Sequence, residues 1–234
     1  VCTQLVVSPA VQMSSLATPP AKRLCKSALA TLFRGTVIDS ASRTELRVLR
    51  DAVLGVDADG CVSFVEDGHT EELTAESVLQ LREGESPAGV QLAGVEIVSV
   101  SPRGFIVPGL IDTHTHAPQF VNAGKGYDLQ LLEWLEKYTF PCEQRFADAH
   151  YAQDVCAKAV RRTLSYGTTA CVYFGTIHTD AAVALGATAQ ALGQRAFVGK
   201  VNMDRNAPDS YREETAHSLA ETERFIERMQ ALGA

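Results

Sequence analysis

Pro108-Gly109-Leu110-Ile111-Asp112-Thr113-His114-Thr115-His116 decides how this chain is read. A short apolar run leaves a Pro-Gly step and ends in two histidines one residue apart. Taken as a strand, whose side chains alternate between its faces, it sets His114 and His116 on one side with Asp112 in phase behind them. Two imidazoles projecting together from a strand end can share one transition metal through neutral ring nitrogens. By itself His-x-His is a modest signal, and two polar residues satisfied at a strand end would give the same pattern.

Downstream of this run, strand and helix patterns alternate. Leu129, Leu132, Trp134 and Leu135 form a helical apolar cluster that ends near Pro141. Phe146 to Tyr166 is a second helical stretch, with Val155, Ala159, Val160, Thr163 and Leu164 near a 3.6-residue period and Gly167 as its stop. Thr168–Ile177 reads as a buried strand, Asp180–Leu192 as a helix and Arg195–Asp204 as a third strand. Ser210–Leu232 is an amphipathic helix whose inward side is expected from Leu219, Phe225, Ile226 and Met229. Such alternation implies a parallel sheet with helices outside, and chemistry at the carboxyl end of a strand fits a β/α barrel. Three strands of the eight are present, so residues 106–234 read as the start of a barrel that is cut short.

Upstream, the pattern is β-rich. Thr31–Ile38 and Ala52–Val56 are of strand length, Asp59-Gly60 marks a hairpin turn, and Cys61–Val65 alternates as the returning strand. Glu71–Glu83 suggests a short helix before the breaker-rich Gly84–Gly89, and Val95–Val100 is another alternating strand. Residues 29–105 therefore form a small β-rich module, expected as a β-sandwich. The fold class is α/β, a partial TIM-like barrel of three βα units preceded by that module. Residues 1–28 differ again. No acid occurs before Asp39, while Lys22, Arg23, Lys26 and Arg34 stand among Ser, Ala and Thr. This reads as a disordered extension, an organellar targeting segment, or sequence upstream of a start at Met13.

Composition narrows the partners. The 234 residues are 46% hydrophobic and 21% charged, with a formal charge of −7, an ordinary balance for a soluble globular chain. The acidic balance argues against a nucleic-acid groove, which needs a basic footprint. No apolar run reaches the roughly 20 residues of a membrane span. Six dispersed cysteines without a Cys-x-x-Cys pair fit free thiols in a reducing, cytoplasmic setting.

At this point a resemblance becomes specific. Pro108–His116 resembles the first barrel strand of the amidohydrolase superfamily. His116–Gln119, Leu131–Leu135, Lys137–Pro141, Thr176–Asp180 and Gln194–Val201 are similar in order to the guanine deaminase family within it. The likeness runs from about Leu29 to Met229. It implies that His114 and His116 are two ligands of one catalytic Zn(2+) per full-length subunit. It also implies that His116, Ala117, Pro118 and Gln119 line a purine site, with the Gln119 amide on the base edge. An amide carries a donor and an acceptor and so can match a lactam.

The implied reaction is hydrolytic deamination of guanine to xanthine and ammonia, with water acidified by the metal. The proton-shuttling glutamate and the remaining ligands are expected beyond this sequence, so no catalytic residue is assigned within it. The resemblance further suggests a homodimer when full length. Other rings (a pterin, a triazine, cytosine) or an inactive truncated isoform acting as a scaffold are the competing readings. The isolated chain is expected to be inactive.

Other polar residues read more plainly. His178 ends the second barrel strand and is expected to hydrogen-bond rather than ligate. His69, His150 and His217 read as solvated, Lys200 as structural, Trp134 as core, and Asp128, Glu133, Glu221, Glu223 and Glu227 as surface charge.

Overall fold

The computed structural model describes residues 3–7, 28–68 and 94–232, which divide into two compact units. One comprises residues 15–108; the other joins residues 1–14 to residues 109–234. The expected helix over Glu71–Glu83, with His69, lies outside the described residues.

In the first unit four strands form one mixed sheet. β2 (Leu29–Ser40) lies between β3 (Leu46–Asp57) and β5 (Glu96–Ser99), and β4 (Val62–Glu66) flanks β3. β3 and β4 form the hairpin that Asp59-Gly60 announces, with Gly60 at φ 77°. The Asp57 carboxylate accepts from the backbone N–H groups of Asp59 and Cys61, which fixes the turn. Leu32 and Val53 are fully buried at the centre of the apolar cluster here.

The second unit holds a sheet in the order β1-β8-β7-β6. β6 (Leu110–Thr115), β7 (Thr168–Phe174) and β8 (Arg195–Val201) run parallel, as the strand–helix alternation requires. β1 (Thr3–Val7) adds to them antiparallel, with Thr3 opposite Val201 and Val7 opposite Phe197. Thr3–Val7 thus pairs the outer edge of β8, which corrects the expectation that these residues belong to a disordered extension. Thr3, Val6 and Val7 suit a strand, but which strand they join is not encoded locally.

Helices cover one face of this sheet. The long helix Ala149–Ser165 begins at Asp148, whose carboxylate accepts from the N–H groups of His150 and Tyr151. Its buried stripe is Ala152, Val155, Cys156, Ala159 and Val160, spaced i, i+3, i+4, i+7, i+8. It ends at Gly167, whose φ of 86° a residue with a side chain adopts at a cost. Thr179–Ala191 is buried along most of its length, and Phe225 and Met229 of Thr215–Ala231 pack into the same core.

Two helical expectations need correction. Leu219 is 62% exposed, because the inward face of Thr215–Ala231 runs through Ser218, Thr222, Phe225 and Met229. Leu219 stands about 100° round the helix from Ser218. Polar Ser218 and Thr222 face inward because both hydroxyls receive the Asn202 side-chain amide, at 2.7 Å each.

The other correction concerns the segment before Pro141. One α-turn (Leu131–Trp134) passes into a π-turn (Leu135–Thr139) and then into Phe140–Gln144. The helical segment therefore runs through Pro141, which directly follows the π-turn, where the regular hydrogen-bond ladder is already interrupted. Leu132 is 73% exposed, and Phe140 and Phe146 take the buried positions instead. Among the described residues no helix is long and apolar enough to cross a membrane.

Candidate active site at the end of the first parallel strand

The start of β6 depends on Gly109, since a Cβ there would overlap the Thr169 side chain at the start of β7. The strand then carries a bulge. Asp112 pairs with Cys171 and Thr115 with Tyr173, so three residues of β6 span the length of two on β7. Cys171 and Tyr173 face the helix-covered core. The extra residue breaks simple alternation, and Asp112 is set on the Cys171 side rather than behind the histidines. Its carboxylate accepts from the His114 backbone N–H at 3.0 Å, which holds the bulged segment.

On the other side the two imidazoles converge, with His114 Nε2 and His116 Nε2 3.1 Å apart. Zinc–nitrogen bonds of about 2.0–2.1 Å at a tetrahedral angle hold two nitrogens about 3.3 Å apart, so this pair fits a shared cation. Phe174, at the end of β7, supports both rings, with centroids 4.4 Å from His114 and 5.1 Å from His116. Burial, and then the neighbouring His114, push the His116 imidazole below its ordinary pKa. The neutral ring is the form with a lone pair to offer. Among the described residues no group of three or more His, Cys, Asp or Glu side chains comes together as a metal site.

The chain leaves the strand in a 3₁₀ turn, Ala117–Asn122. Ala117 and Pro118 are buried, with Ala117 in the main core, so these two side chains serve packing. Gln119 stays half-buried, and its Nε2 donates to Glu143 Oε1 at 3.2 Å. Glu143 is 5% exposed and also accepts from the Tyr211 hydroxyl at 2.7 Å. Burial raises the Glu143 pKa, opposed by the hydrogen bonds from Tyr211 and Gln119.

Sequence reading passed over Glu143 and Tyr211. The available signal was an acid between Phe140 and Phe146 on the inward side of a helical segment, where a carboxylate needs a partner. The preceding π-turn supplies a register shift of the kind often found at functional sites.

The remaining candidates separate clearly. His178 Nε2 is buried with no hydrogen-bond partner among the described residues, and its ring lies edge-on to Tyr211. A cavity of about 290 Å³ lies beside it, lined by Ile177, His178, Arg212, Glu213, Glu214 and His217. His150 and His217 are exposed, and Trp134 is half-buried with its indole N–H donating to the Lys125 carbonyl at 2.8 Å. Lys200 is fully buried and paired with Glu213 at 2.8 Å, which fits its reading as structural.

Comparison with known proteins gives the chain its family. Guanine deaminase of Mus musculus is 44% identical over 218 residues, covering 93% of this chain and 44% of that protein. Guanine deaminase of Dictyostelium discoideum is 43% identical over 204 residues, covering 86% of this chain and 44% of that protein. The crystal structure of guanine deaminase from C. acetobutylicum, with guanine bound in its active site, superposes with a TM-score of 0.68 at 31% identity. That superposition covers 86% of this chain and 42% of the solved one. The chain thus spans less than half the length of these relatives. Because residues 105–233, the histidine strand and its successors, match the amidohydrolase family model, the chain belongs to the amidohydrolase family.

Proposed function

We infer that the full-length protein is a zinc-dependent hydrolytic deaminase converting guanine to xanthine and ammonia. One observation carries this: two ring nitrogens 3.1 Å apart at the carboxyl end of a parallel strand, in a chain 44% identical to a guanine deaminase. His114 and His116 would hold the ion through Nε2, with further ligands from elsewhere in the protein. When bound, zinc supplies Lewis acidity toward water, which is the chemistry hydrolytic deamination needs. Phe174 packs against both rings and so restrains their planes. Gln119 presents an amide to a lactam edge beside them, with His116 and the backbone of Ala117 and Pro118 forming the adjoining wall.

We further propose a homodimer, as the family resemblance suggests, a cytoplasmic setting, on the dispersed cysteines, and a β-sandwich within residues 29–105, on their strand-rich pattern. The exposed Leu46, Val48, Val62 and Ile97 offer apolar surface to a second layer of that sandwich.

The test is ammonia release from guanine by the full-length protein, alongside pterin, triazine and cytosine substrates. Guanine turnover that is lost to a chelator and restored by zinc is expected. Turnover of another ring in place of guanine would overturn the substrate, and full activity without bound metal would overturn the chemistry.

A further inference from the structure

Among the described residues Glu143 joins no cluster of metal-ligating side chains, yet it is a buried carboxylate linked to Gln119, whose amide is offered to the purine. Resting on the purine site inferred above, we propose that Glu143, held by Tyr211, is a positioning residue that fixes which way the Gln119 amide faces and thereby sets the preference for a lactam edge.

A carboxylate only accepts, so the Gln119 NH2 must turn toward it. The reversed amide would set two oxygens against each other at 3.2 Å. With one hydrogen committed to Glu143, Gln119 keeps its carbonyl oxygen and one N–H for a ligand. That pair complements a ring N–H beside a carbonyl, as in guanine.

Tyr211 makes the arrangement directional. Its hydroxyl oxygen receives the Ile177 backbone N–H at 3.3 Å, and its own proton goes to Glu143 Oε2 at 2.7 Å. Burial raises the Tyr211 pKa and keeps it a phenol, hence a donor. Tyr211 is fully buried and Glu143 nearly so, which leaves water little access to compete for these groups. The chain from Tyr211 to Glu143 to Gln119 therefore transmits one polarity from the loop after β8 to the turn after β6.

The probe is 2,6-diaminopurine. It keeps the 2-amino group that would leave but presents a bare ring nitrogen beside an amino group, reversing the order of donor and acceptor. In full-length protein, Glu143→Gln can donate as well as accept, and Gln119 is then free to turn over. The expected result is a fall of about tenfold in the guanine-to-diaminopurine ratio of kcat/KM. It should arise through a higher KM for guanine, with kcat within about twofold.

Tyr211→Phe should move the ratio the same way by about threefold. Should Glu143→Gln fail to fold by circular dichroism, Tyr211→Phe decides by the same criterion. Proportional loss on both substrates, or an unmoved ratio in a wild type that deaminates guanine, overturns this proposal alone. A wild type inert toward guanine overturns the proposed function and this inference with it.

Discussion

Two polar clusters sit at the carboxyl ends of parallel strands in one sheet, and they are finished differently. At the end of β8, Lys200 gives protons to Glu213 and to the Val201 carbonyl. Glu213 also accepts from the Met203 N–H and the Ser218 hydroxyl. Every polar atom there has a protein partner, and both charges are out of water. At the end of β6, His114 and His116 meet at their Nε2 atoms against the Phe174 ring. A buried cluster that satisfies itself holds the fold, whereas two imidazole nitrogens brought together at a strand end suit a shared cation. Position at a strand end is common to both and does not discriminate. Saturation does.

The sharpest way to break this contrast is to strip the cation from the saturated cluster. Lys200→Met leaves Glu213 buried without its counter-charge and should cost about 3–5 kcal/mol, read by urea or thermal unfolding. A loss under about 1 kcal/mol would mean that the cluster is not what holds this end of the sheet.

His114→Ala with His116→Ala should do the reverse. In the full-length protein zinc content and ammonia release should fall by more than about 100-fold, while the unfolding midpoint without metal stays close to wild type. Equal metal occupancy in the double variant and wild type would sink the assignment of these two as ligands.

The strand that carries the pair can be strained without touching it. Gly109→Ala drives a Cβ into Thr169 and should cost about 1–3 kcal/mol. Pairing with Thr169→Ala should recover part of that loss. Absence of recovery would place the strain elsewhere.

A surface ion pair gives the baseline. Lys158 and Asp154 meet at 2.6 Å with both side chains about 60% exposed. Lys158→Ala should change stability by less than about 0.5 kcal/mol, so that geometry alone, without burial, is seen to contribute little.

Much of this was legible from the sequence, and particular residues show why. Val155, Ala159 and Val160 announce a helix face because a 3.6-residue period survives any tertiary context that buries one side. Asp59-Gly60 announces its hairpin because the turn conformation is decided by those two residues. His114 and His116 are neighbours on a strand, so their convergence needs no distant contact. Asp112 is instructive by contrast. Strict alternation groups it with the histidines, yet one extra residue between Asp112 and Thr115 sends it to the other side. A bulge is set by pairing with β7, which no local period reports. Leu219 failed similarly, displaced outward because Asn202 claims Ser218 and Thr222 for the inner face.

The sequence alone determined the strand–helix alternation, the hairpin and the histidine pair, since each is encoded within a few residues by side-chain period or turn chemistry. Tertiary structure alone decided the antiparallel seat of Thr3–Val7 on β8, the saturation of Lys200, and the junction of Gln119, Glu143 and Tyr211. Glu143 lies 24 residues from Gln119 and 68 from Tyr211. Contacts at such separation exist only once strands and helices have packed, and it is packing, by excluding water, that gives a single carboxylate the strength to orient an amide.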